Sequence, residues 1–374
     1  MLQLRNLLSL LRSASPLAAA APHHAPLRSL HRPLSAAAPF AVEGYLVARC
    51  GLTRAQALKA SKAVSHLRSP SQPDAVVAFL SARGLSRADI AAVVAADPKI
   101  LCAKVEKNLS KRVADLEELG LSRSQIARLI LVSRNSIRVC SIRRNIDFLL
   151  PIYGSFDKLL QVVKMNSAIL TVNPEKAFKP NLALLQQCGI AASDLSPSMS
   201  RVLTRPHKIL REAVTLIDKI GVPRSSRMFH YALLSFPFQK KEKLTKKFGI
   251  LEMYGWSQED VLTAVRKMPG IVTMSDDRLR RNAEFLTRHV ELEPPYIAQR
   301  PALMKYSLER RLLPRHCVLK LLKEKGLVDS ELSFYFVAVM TENKFHNKFI
   351  GRHKERIPGL ATIYASSFAQ KALN

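Results

Sequence analysis

The chain ends and restarts a helix at nearly regular intervals, and this rhythm restricts the possible folds more than any other feature. In "LEELGLSRSQIARLI" (116–130), Leu116 and Leu119 share one helical face. Gly120 can take the left-handed conformation that ends a helix cheaply. Ser122 with Gln125 three residues on makes a capping box, and Leu121 with Ile126 makes a hydrophobic staple. The stretch predicts two helices joined by a very short turn, with Ile126, Leu129 and Ile130 as the buried stripe of the second.

The same break recurs at Gly84 (Leu85, Ser86, Asp89, Ile90) and at Gly255 (Trp256, Ser257, Asp260, Val261). Weaker copies without the cap follow Gly189 and Gly326, and Gly154 and Gly221 fill the gaps. Glycines 84, 120, 154, 189, 221 and 255 are 36, 34, 35, 32 and 34 residues apart. A proline marker runs alongside, since Pro206, Pro237, Pro269 and Pro301 are 31, 32 and 32 apart. Two phased markers with a period in the low thirties predict an all-α superhelical solenoid of about eight helical repeats, over residues 41–360, with a tail at 361–374. No apolar run reaches the ~18 residues of a membrane span.

Residues 1–40 differ from the rest. They hold Arg5, Arg12, Arg28 and Arg32, no lysine and no acid, and the first carboxylate is Glu43. An Arg-rich, Ser-rich, acid-free start is the mark of an organelle transit peptide. The early Leu/Arg helix favours the mitochondrion, with the chloroplast as the alternative. The five cysteines are scattered without a CxxC, which argues against a zinc site or a disulfide framework.

Lys and Arg number 58 against 29 Asp and Glu, a formal net charge of +29. Residues 130–250 alone hold 20 basic and 7 acidic side chains. Such an excess opposes compaction unless a polyanion cancels it, and nucleic acid is the leading partner. The basic clusters are Arg134, Arg138, Arg143 and Arg144; Arg201, Arg205, Lys208 and Arg211; Lys240, Lys241, Lys243, Lys246 and Lys247; Arg278, Arg280 and Arg281; Arg310, Arg311 and Arg315; and Lys344, Lys348, Arg352 and Lys354. "VSRNSIRVCSIRR", "LTRPHKILR" and "FPFQKKEKLTKK" occupy matching phases. In a solenoid, equal phase means one face, so these charges are expected to form a stripe. Phe229, Tyr231, Phe236 and Phe238 beside the lysine cluster could stack on bases, but helical cores favour burial.

The pattern Leu-x-x-Leu-Gly-Leu-Ser-x-x-x-Ile, followed by an apolar stripe and a proline as in "DPKIL", resembles the repeat of the mitochondrial transcription termination factor (mTERF) family. "SLERRLLPRHCVLKLL" (307–322) is similar to a C-terminal block of its plant members. The resemblance covers about 45–360 and places Pro98, Pro206, Pro237, Pro269 and Pro301 at the repeat proline. Near Asn135 and Ala168 that proline is missing. The resemblance implies triplets of two α-helices and a 3₁₀ turn, stacked with a basic concave side. It further implies binding of double-stranded DNA or RNA in an organelle, in transcription termination or regulation, or in RNA processing such as intron splicing. A monomer working with other organellar gene-expression proteins is expected.

Other classes fit less well. A pentatricopeptide-type RNA reader shares the period but not the internal Gly-Leu-Ser turn or the phased proline. A protein-interaction scaffold without nucleic acid would not need this bias of charge, whereas an RNA-binding or protein-interaction scaffold within an organellar ribonucleoprotein is compatible with it and is the alternative. GxSxG, P-loop, HExxH and GxGxxG motifs are missing, so neither catalysis nor a cofactor or metal is expected. Asp276-Asp277 is read as helix-start charge, and His316-Cys317 as a packed pair.

Overall fold

Glycine turns divide the chain as their spacing predicts. The computed structural model describes residues 40–366, so the transit-peptide expectation lies almost wholly outside the described residues. All regular elements among them are helical. The common plan is a first helix, a glycine turn, a second helix and a short third element. Ser71–Ala82, Gly84, Arg87–Ala96 and Pro98–Cys102 show it, and Lys241–Glu252, Gly255, Gln258–Lys267 and Pro269–Thr273 repeat it.

The turn geometry follows from local chemistry. Gly120 has φ +83, its N–H donates to Glu117 O, and Leu121 N–H reaches back to Leu116 O. This is the Schellman closure, which satisfies carbonyls at the helix end. The same pair of bonds forms at Gly84 and Gly255. Capping boxes form at Ser86/Asp89, Ser122/Gln125 and Ser257/Asp260, and also at Thr53/Gln56. Ile126, Leu129 and Ile130 are buried as the stripe predicts.

Between Gly255 and Gly326 one glycine is missing from the rhythm. Glu291 stands there, held at φ +60, and Leu292 N–H closes the turn on Leu286 O. The first helix of that repeat ends in a π turn, Phe285–His289.

The third element is less uniform than the sequence suggests. It is a 3₁₀ turn at Pro98–Cys102, Ser167–Leu170, Phe236–Phe238 and Pro269–Thr273, but a single α turn at Ser136–Val139, Ser200–Leu203 and Ala302–Lys305. Pro206 does not occupy the repeat proline. It is the N-cap of the next first helix, His207–Ile220, and Ser200 opens the turn instead. The second helix is itself reduced after Gly189, where Ala192–Asp194 and Pro197–Met199 replace it. Pro197 and the lack of a capping box account for that loss.

In six repeats one polar side chain from the first helix takes carbonyls at or just beyond the repeat's last helical turn. Asn145 Nδ2 donates to Ile169 O and Val172 O, Asn181 Nδ2 to Leu203 O and Arg205 O, and Asn282 Nδ2 to Met304 O and Tyr306 O, all at 2.7–2.9 Å. Arg112 reaches Ile137 O, Arg138 O and Val139 O, and Lys247 reaches Met274 O. Arg315 reaches Val337 O, Ala338 O and Met340 O. Lys247 and Asn282 sit seven residues after the N-caps Lys240 and Ser275. Arg112, Asn181 and Arg315 sit eight after Lys104, Asn173 and Ser307. Those three helices open with π turns, Val105–Ser110, Pro174–Phe178 and Leu308–Leu312, which absorb the extra residue and bring the latch into register.

Two outcomes follow for stability. Asn282→Ala leaves two buried carbonyls unpaired and should cost about 2–4 kcal/mol. Hydrogen exchange should then accelerate first around Ala302–Lys305; unchanged protection there would refute the latch. Glu291→Gly removes a left-handed side chain and should stabilise the protein by roughly 0.5–1 kcal/mol in chemical denaturation, a part of the strain being offset by glycine's entropy.

Candidate nucleic-acid interface

The first helices start where the third elements end, so the basic stretches of matching phase all fall at one structural place. The third residue after the N-cap is a cation in six of these helices: Lys107, Lys176, Lys243, Arg278, Arg310 and Lys344. Four second helices carry Gln56, Asp89, Gln125 and Asp260 at the same position, the choice that suits a helix's positive end, while Phe156–Met165 carries Lys158 there. Cations there work against the helix dipole, so helix stability does not explain them.

Acids do stand beside them; Glu175, Asp277 and Glu309 are engaged, whereas Glu106 and Glu242 make no ion pair among the described residues. Lys179 pairs with Glu175, and Arg281 with both Asp277 and Glu309. Lys246 and Lys247 converge on Asp276 at 2.8 and 3.0 Å, and Arg315 meets Glu342 at 2.8 Å. These pairs tie each first helix to the next, from Lys241–Glu252 through Asp276–Glu284 and Leu313–Glu324 to Glu342–Phe345. Lys107, Lys176, Lys243, Arg310 and Lys344 are exposed and make no ion pair among the described residues. Each holds the same place in its own first helix, three residues after the N-cap.

The sequence-derived candidates therefore separate into groups. Lys247 and Arg315 are corrections: they are 5% and 0% exposed, and their charge is spent on carbonyls and a carboxylate inside the protein. Arg138 grips the buried Asp97 at 2.6 Å, Arg143 pairs with Glu118, and Arg278 donates to Lys305 O. With Lys246 and Arg281 they serve the stack. Arg201 and Arg205 lie over the half-buried Phe238 ring at 4.8 and 5.2 Å, and Arg311 over Tyr306 at 4.7 Å. Lys241 opens its helix at an exposed position. Arg134, Arg144, Lys208, Lys240, Lys243, Arg280 and Arg310 are exposed without an ion pair among the described residues.

Other expectations resolve in the same way. Phe229 and Phe236 are buried, while Tyr231 is exposed beneath Arg227. His316 packs edge-on between Phe285 and Phe334, where burial pushes its imidazole pKa down and that of the Cys317 thiol up. The two behave as packing groups. No helix among the described residues is long and apolar enough to cross a membrane.

Lys246 and Lys247 hold the Asp276 carboxyl down to about 2. A depressed carboxylate contributes stability above its ordinary pKa of about 3.9, and loses it as pH falls through the folded value. Wild type should therefore exceed Asp276→Asn in stability by a constant margin above about pH 5, and the margin should shrink between about pH 4 and 2. A pH-independent difference in urea midpoints would contradict this ion pair.

Comparison with known proteins gives the geometry its context. The mTERF family model matches residues 55–346. The chain is similar to "Transcription termination factor MTERF15, mitochondrial" of Arabidopsis thaliana, 21% identical over 243 residues, 64% of this chain and 55% of that protein. It is similar to "Transcription termination factor MTERF8, chloroplastic" of the same plant, 20% identical over 241 residues, 63% of this chain and 48% of that protein. "Transcription termination factor MTEF18, mitochondrial" is 20% identical over 275 residues, 72% of this chain and 47% of that protein. The chain spans about half the length of the curated relatives it matches. With the helical repeats, the phased glycines and a family match over most of its length, the chain belongs to the mTERF family.

Proposed function

We propose that this chain is an organellar nucleic-acid-binding protein of gene expression, contacting phosphates through the starts of its first helices. The observation that carries this reading is the set Lys107, Lys176, Lys243, Arg310 and Lys344, each three residues after the N-cap of a first helix, exposed, and without an ion pair among the described residues. Backbone N–H groups at a helix start add to the same attraction for anions. The mitochondrion is the proposed compartment, on the Arg-rich, acid-free first 40 residues, with the chloroplast as the alternative. The role is transcription termination or regulation, or RNA processing such as intron splicing. The partner is duplex DNA or RNA, together with other organellar gene-expression proteins, and the chain acts as a monomer without catalysis or cofactor.

Crosslinking of the tagged protein in intact organelles, with sequencing of both recovered RNA and DNA, tests the reading. Reads on introns or transcript ends would make it an RNA-processing factor, and a duplex site would make it a terminator or regulator. Recovery of neither would reject nucleic acid in favour of a scaffold. In vitro, the combined change Lys243→Glu, Arg310→Glu and Lys344→Glu should leave the fold intact, with a melting point at or slightly above that of wild type. It should also lower the log–log salt slope of binding by about 0.9 per lost contact on duplex, or about 0.7 on a single strand.

A further inference from the structure

Outside the glycine turns, one left-handed residue among those described has no counterpart in the other repeats. Arg134 has φ +51. It lies between the second helix Arg123–Val132 and the third element Ser136–Val139. In the repeats of Gly84, Gly154 and Gly255 a single residue makes that link: Asp97, Asn166 and Met268. Here three residues make it, so Arg134 belongs to a two-residue insertion.

Its flanks are fastened. Ser133 is fully buried with its hydroxyl on Ile130 O, and buried Ser136 donates to Ser167 O at 3.3 Å. Between them Arg134 is exposed. A left-handed backbone is cheap for glycine and costly for an L side chain, and the chain supplies glycine at nine other positive-φ positions. Strain of this kind persists only where the surrounding structure holds it, and it clusters at binding and switch sites.

Charge points the same way. Arg112 delivers its guanidinium to the carbonyls of Ile137, Arg138 and Val139, and Arg138 itself pairs with Asp97. Two cations thus already converge on this turn with one carboxylate between them. The nearby Arg128 and Arg143 are matched by Asp157 and Glu118. Arg134 has no ion pair among the described residues, so an external anion is the group that would relieve it.

We propose that Arg134 contacts a nucleic-acid phosphate, and that the protein keeps it in a strained backbone at a cost in stability for the sake of that contact. This rests on the nucleic-acid reading above, and adds a place where stability and binding oppose each other. Two variants of the full chain separate the terms. Arg134→Gly relieves the backbone and removes the charge, whereas Arg134→Gln removes the charge alone. Each is melted, and titrated with a mixed-sequence RNA of about 40 nucleotides and a duplex DNA of about 40 base pairs over a range of salt. Arg134→Gly should melt about 2 °C higher, and Arg134→Gln close to wild type. Both should bind roughly three- to tenfold more weakly near 0.1 M salt, with a slope smaller by about one.

Wild-type affinity in Arg134→Gly, or a lower melting point, overturns the proposal. If the Lys243, Arg310 and Lys344 variant still loses binding in that case, the broader reading stands and only the assignment of Arg134 fails. If wild type shows no salt-dependent binding to either probe, both fail.

Discussion

The repeats depend on how the carbonyls of each short third element are satisfied. An element of one turn cannot bond its own last carbonyls, and here they face the interior, where an unpaired polar group is expensive. In six repeats one side chain of the first helix meets them. Asn145, Asn181 and Asn282 do so as neutral amides, and Arg112, Lys247 and Arg315 as cations. The chemistry varies and the geometry is kept. Where the helix carries one residue more before the latch, a π turn takes it up. The latch thereby locks the two ends of a repeat, about 22 to 27 residues apart, into one unit.

This constraint changes how the charge must be counted. A lysine in a run such as "KKEKLTKK" looks like any other, yet Lys247 is inside and Lys243 outside. Arg315 is the largest fully buried side chain among the described residues, although it lies in a basic cluster. A second set of cations holds neighbouring first helices together through Asp276, Glu309 and Glu342. The remainder is what an outside polyanion can use. It is smaller than the net charge suggests, and five first helices present a share of it at the same point.

Much of this was legible in the chain. The glycines, the capping serines and the stripe of Ile126, Leu129 and Ile130 rest on interactions within a few residues, and they appear where expected. The exceptions share a cause. Glu291 does a glycine's work because the flanking helices impose the turn, and nothing in its side chain announces that. Pro206 keeps the spacing of the repeat proline but caps the next helix, since a proline suits the start of a helix as well as it suits a short turn. The latch residues stand alone on apolar stripes, the one sequence signal that could have revealed them, and in isolation each reads as a surface residue or a lapse in pattern.

By itself the sequence determined the period, the helical hairpins and a surplus of positive charge, because all of these come from local conformational preference and composition. The tertiary structure decided which cations remain free. That choice is made by contacts between groups some 22 to 41 residues apart, from Asn282 with the Met304 carbonyl to Arg138 with Asp97, and no local rule encodes them. Burial strips water from an amide or an ammonium and obliges it to find a protein partner, and only the packed repeats determine which groups are buried.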